Sequence, residues 1–103
     1  MKIQFVSRLL TDAVYNAADG HYYRTDLAPG TAEWTKDRRS MLFVCPCGCA
    51  RVRTIPLQPT PDGWHVNEGE YGLSLAPSVR VMENDMRREH WHGHLTNGEW
   101  RCC

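Results

Sequence analysis

The chain has 103 residues, of which 42% are hydrophobic and 23% charged, a composition that suits one folded domain with a single core. Lys+Arg and Asp+Glu are both 12, so the basic excess of a dedicated nucleic-acid binder is missing. No apolar run approaches the ~20 residues that span a bilayer, which argues against a membrane partner. Met1 to Leu10 meets polar residues too often for a secretory signal. The expected setting is therefore a reducing cytoplasm, where closely spaced cysteines serve as metal ligands more often than as disulfides.

In chain order, residues 2–10 alternate, with Ile3, Phe5, Ser7 and Leu9 on one side, and predict an opening strand. Residues 12–18 read equally as a short helix, capped by Thr11 or Asp12 and ending at Asp19-Gly20, or as a loop. Tyr22 to Thr25 predicts a short strand and Pro29-Gly30 a turn. Ser40 to Val44 is a compact apolar run leading into Cys45-Pro46-Cys47-Gly48-Cys49, and Ala50 to Ile55 alternates again as the returning strand. Pro56, Pro59 and Pro61 then take the chain out of the sheet, with a turn at Asp62-Gly63. Trp64 to Asn67 is a strand, and Leu73 to Leu75 and Val79 to Met82 flank a bend at Pro77. Residues 83–89 form a charged connection, read as one helical turn. Trp91 to Thr96 and Glu99 to Arg101 flank Asn97-Gly98, a strong type I′ hairpin signal. Three basic clusters (Lys36, Arg38, Arg39; Arg51, Arg53; Arg87, Arg88) read as solvated faces.

The chemistry concentrates in Cys45 to Cys49 and in His90-Trp91-His92-Gly93-His94, which hold three of the five cysteines and three of the five histidines. Thiolate and imidazole are zinc ligands, needed four at a time around a closed tetrahedral site. On a regular strand His90, His92 and His94 project from one face. Pro46 and Gly48 bend the cysteine turn so that its thiolates converge. Two cysteines and two histidines would close the site. The fold class that follows is a mostly-β, small single-domain antiparallel fold, residues 1–103, stapled by Zn2+ held between two metal-binding loops in a zinc-ribbon or Rieske-like arrangement. The metal-binding core is expected over about residues 41–101. His21 and His65 stand apart as packing or surface residues. Cys102 and Cys103 are expected to fray at the terminus.

Two readings compete. A Rieske-type iron–sulfur centre also pairs two cysteines with two histidines, but it mixes the residue types within each loop, whereas here they are segregated. A three-histidine catalytic zinc would use Glu89 or Glu99 as base and leave the cysteines without a role. Either would make the protein a metal-dependent or redox enzyme. Structural zinc without catalytic residues is the reading preferred.

CPCGC, Thr54-Ile55-Pro56-Leu57-Gln58-Pro59, Trp64, Leu73 to Val79, and His92 ahead of Asn97-Gly98 appear in one order. Over residues 42–100 the chain resembles a family of small bacterial and phage proteins with a C-x-C-G-C core, PL-x-P and L-x-PS segments and a C-x₂-H run. Some members carry the name "ammonia monooxygenase", which nothing in these residues supports; others sit beside genes for E1-like and ubiquitin-like conjugation proteins. The resemblance implies a metal-binding β domain with Cys47, Cys49 and His92 as ligands. The family's remaining cysteine falls on Glu89, and His90 is the replacement chosen, with Cys45, Glu89 or His94 as alternatives. The metal set is then Cys47, Cys49, His90 and His92. The expected role is that of an accessory or inhibitory factor of phage or mobile-element origin that binds another protein.

Overall fold

Turn residues at Pro29-Gly30, Asp62-Gly63 and Asn97-Gly98 divide the chain into short alternating segments, and short antiparallel strands are the outcome. The structure, a computed structural model, describes residues 1–82 and 89–102. Its strands are β1 (Val14–Asn16), β2 (His21–Tyr23), β3 (Ala32–Trp34), β4 (Ser40–Val44), β5 (Val52–Pro56), β6 (His65–Gly69), β7 (Gly72–Ala76), β8 (Val79–Met82), β9 (Glu89–Thr96) and β10 (Glu99–Cys102). Among the described residues there is no helix, hence none long and apolar enough to cross a membrane. The expected antiparallel β fold is what forms. β3–β4–β5 make one three-stranded sheet and β10–β9–β8 another, while β1–β2 and β6–β7 are hairpins.

The alternating stretch at the amino terminus does not make the predicted strand. Residues Ile3, Val6 and Leu9 turn inward in place of the expected alternate set, and Phe5 stays 44% exposed, stacked on Trp34 at 5.3 Å. The segment pairs its backbone with the sheets at isolated bridges, Lys2 to Glu99 and Phe5 to Ala32, before turning. The helix-or-loop segment is strand β1, paired to β2 across a turn that Asp19 organises by accepting from the His21 N–H. β3 has no counterpart among the expected elements; its three residues are too short to show a period. The helical turn expected over residues 83–89 falls mostly on 83–88, outside the described residues, and Glu89 begins β9.

The core lies between the two three-stranded sheets. Met41 and Phe43 of β4 meet Trp91 and Leu95 of β9 and Trp100 of β10, all buried in one cluster. Trp100 is the joint: its ring centroid lies 5.2 Å from that of Phe43 and 5.8 Å from that of Trp91. Its Nε1–H donates to Gly30 O at 2.9 Å, so the indole is buried with its polar handle satisfied. The β6–β7 hairpin is tied to the Asn97-Gly98 turn by Gly98 N–H donating to Leu73 O at 2.7 Å and Asn97 N–H to Ser74 Oγ at 2.9 Å. Both turn residues have positive φ, 50° and 79°, as a type I′ hairpin demands.

Gly93 sits where Trp91 folds back over its own strand. A Cβ there would lie 2.2 Å from Arg101 O and 2.4 Å from the Trp91 ring. Gly93→Ala should therefore displace the ring or the β10 backbone and cost about 1–3 kcal/mol. Urea unfolding checks this, and an unchanged midpoint would show that the strand pair yields freely.

Candidate functional site

The regular part of the β8–β9 ladder pairs Val79 with Gly93, Arg80 with His92 and Val81 with Trp91. The next pair is Met82 with Glu89, so His90 is an extra residue opposite no single partner, a β-bulge. A bulge shifts the alternation by one beyond it. Glu89 thereby joins the face that carries Arg80 and His92, and His90 leaves that face. The expected common face for His90, His92 and His94 is broken at this point; His92 and His94 stay neighbours, with rings 6.4 Å apart.

His90 is turned to the cysteine loop. Cys45, Cys47, Cys49 and His90 place one ligand atom each within 4.8 Å of the others. Cys47 Sγ lies 3.0 Å from His90 Nε2 and 3.3 Å from Cys45 Sγ. The loop is shaped for this. Cys45 N–H donates to Arg51 O at 2.8 Å, and Gly48 N–H to Cys45 O at 3.2 Å. Gly48 and Ala50 take positive φ of 97° and 67°, and Cys49 N–H points at Cys47 Sγ at 3.3 Å. Burial pushes the Cys45 thiol up to about 12. Burial also raises Cys49, but the Arg51 N–H and the neighbouring Cys47, His90 and Cys45 outweigh it and bring that thiol down to about 7. Bonds of about 2.0–2.3 Å in a tetrahedron separate ligand atoms by about 3.3–3.8 Å. The 3.0 and 3.3 Å separations lie at or just under that range and all four ligand atoms lie within 4.8 Å of one another, so the donor set fits a metal ion and is consistent with zinc.

The opposite face of the bulge holds a second constellation. Ser78 lies in the two-residue bend between β7 and β8, and its Oγ is 2.8 Å from His92 Nε2. A hydroxyl donating to Nε2 requires the imidazole proton on Nδ1. Nδ1 faces Glu89 Oε1 at 3.8 Å, while Glu89 Oε2 accepts from Arg80 Nε at 3.0 Å. Trp64 Nε1–H anchors the bend by donating to Ser78 O at 3.2 Å. Serine, imidazole and carboxylate thus stand in the order of a nucleophile, its base and the group that orients the base.

A family model described as "bacterial ubiquitination-like system serine protease (BubE)" matches residues 19–103. The chain belongs to this BubE family. The match agrees with the expected bacterial family associated with ubiquitin-like conjugation. No curated protein and no solved structure matches the chain.

Of the expected ligands in this BubE-family chain, the structure brings together Cys47, Cys49 and His90, and adds Cys45. It places His92 against Ser78. His94 and His65 are exposed and His21 is half-buried, all three outside the thiol cluster. Cys102 is exposed in β10, ordered as a strand residue, and Cys103 lies outside the described residues. Sequence reasoning missed Ser78 altogether and gave Glu89 other duties. A signal was present: Ser78 is a hydroxyl at a bend between two apolar strands, in the L-x-PS segment, and Glu89 precedes His92 by three. Only the bulge shows that these residues meet.

Elemental analysis separates the two constellations. Cys45→Ser or Cys47→Ser should strip most of the metal and lower the melting temperature sharply, whereas His92→Ala should keep the metal. Retained metal in both cysteine variants, or loss in His92→Ala, would redraw the ligand set.

Proposed function

We propose that this protein is a serine hydrolase of acyl bonds, acting in the cytoplasm on conjugates of a ubiquitin-like modifier, with structural zinc held by Cys45, Cys47, Cys49 and His90. The observation that carries the reading is the 2.8 Å contact of Ser78 Oγ with His92 Nε2, backed by the Glu89 carboxylate on the Nδ1 side. The family's description as a serine protease of a ubiquitination-like system supports the reaction type and the substrate class.

His92 Nε2 takes the Ser78 proton as Oγ bonds to the scissile carbonyl carbon, giving a tetrahedral oxyanion and an imidazolium. Glu89 stabilises that imidazolium; contacts of this kind are commonly long before substrate binds. Collapse breaks the bond to the leaving amine or alcohol, which receives the proton from His92. Water, deprotonated by the same nitrogen, then releases the acyl group from Ser78. Cys45, Cys47, Cys49 and His90 would hold the zinc as four protein ligands with no position left for substrate, and a metal there would fix His90 and with it the bulge.

Purified protein should be labelled on Ser78 by a fluorophosphonate and should hydrolyse 4-nitrophenyl acetate. Ser78→Ala should abolish labelling and reduce turnover about a thousandfold or more, with metal content unchanged. A docking or inhibitory factor of phage or mobile-element origin, binding a partner protein through the same stapled sheet, needs no reactive serine. Absence of labelling in folded, metal-loaded protein would decide for that role.

A further inference from the structure

A cleft of about 700 Å³ opens between β5 and β8, and three of its walls are the arginines Arg51, Arg53 and Arg80. Arg53 and Ile55 share one face of β5, and Arg51, just ahead of the strand, continues the alternation. Arg53 is opposite Phe43, so its stem runs along the edge of the core. The consequence is unusual: Arg53 Nε is shut off from water and has no hydrogen-bond partner among the described residues. A buried cationic N–H without an acceptor is costly and calls for an explanation. The cleft's one carboxylate among the described residues, Asp19, is engaged by the Tyr23 hydroxyl and the His21 N–H.

We propose that this cleft binds an acidic polypeptide segment of the substrate beside Ser78, an inference that rests on the hydrolase reading. Guanidinium forks match carboxylates in paired hydrogen bonds, and a carboxylate in the cleft supplies the acceptor that Arg53 lacks. Half-buried Val52 and Met82 give the cleft apolar wall that suits a peptide's side chains better than a bare inorganic anion. The cleft adjoins the reactive serine through Arg80, which lines it and holds Glu89 Oε2 at 3.0 Å, while the other oxygen of Glu89 faces His92. Zero net charge over the whole chain argues for this local, peptide-directed site over a nucleic-acid groove.

The test uses metal-loaded Ser78→Ala protein and a fluorescein-labelled hexaglutamate peptide, followed by polarisation. Saturable binding is expected, weakened about ten- to hundredfold by Arg53→Gln and not displaced by equimolar inorganic phosphate. Should Arg53→Gln fail to fold, Arg51→Gln in the same background reads the same loss. No saturable binding, unchanged affinity in the folded arginine variants, or tighter binding of a dT oligonucleotide than of the peptide would overturn the proposal. Hydrolysis of neutral 4-nitrophenyl acetate by the wild-type chain reports separately on Ser78. Turnover without peptide binding sinks the acidic-segment site and leaves the hydrolase, whereas peptide binding without turnover does the reverse.

Discussion

One extra residue in β9 sets the chemistry of this protein. In a regular strand His90 would share a face with His92, and Glu89 would point the other way. The bulge opposite Met82 exchanges those directions. His90 reaches Cys47 Sγ on one side, and Glu89 reaches His92 and Arg80 on the other. A bulge removes ladder hydrogen bonds and needs compensation from its surroundings. Here His90 gains the contact with Cys47 Sγ, and Glu89 gains its ionic contacts with Arg80 and His92. Each constellation therefore helps to hold the local backbone that the other requires.

The same geometry explains how so small a domain keeps two sheets in register. Cys45, Cys47 and Cys49 leave the end of β4, while His90 belongs to the sheet of β8, β9 and β10. A metal bound there ties the sheets at one point, and small domains commonly use such a staple. Trp100 ties them at another, through Phe43, Trp91 and the Gly30 carbonyl. Between these anchors lies the stretch from His90 to Leu95, with His92 in its middle, so the base of the proposed hydrolase sits on a segment held at both ends. Pre-organisation of this kind keeps an imidazole within reach of its serine.

Much of this was legible in the residues and some was not. β4 and the β9–β10 hairpin follow from an apolar run and an Asn-Gly turn, local signals that tertiary packing leaves alone. The cysteine loop was legible because thiolates crowd a turn only for a reason. The amino-terminal alternation misled, since a period in sequence says nothing about whether a partner strand is available. His92 misled for a different cause. It stands two residues from His90, and strand periodicity assigns both to one face; a bulge is a property of the pair of strands and leaves no mark on either alone. Ser78 gave too little to act on, because a single serine acquires meaning only from the imidazole beside it. The arginines of β5 were read as a solvated face, and alternation with Ile55 was the overlooked sign that Arg53 runs into the core edge.

Charge placement around His92 carries the last constraint. A guanidinium near an imidazole resists the imidazolium that a base must become, and Arg80 is the register partner of His92. Glu89 lies between them with one oxygen on each, so in the proposed hydrolase the cation that would oppose proton transfer is neutralised by the carboxylate that assists it. The pairing also holds Glu89 in place, since a half-exposed carboxylate with a single distant partner would lose its position to solvent. In that proposal Arg80 is a positioning residue, acting on His92 through Glu89. An anion arriving in the adjoining cleft would further reduce the positive potential at the base, coupling occupancy of the arginine cleft to the ease with which Ser78 gives up its proton.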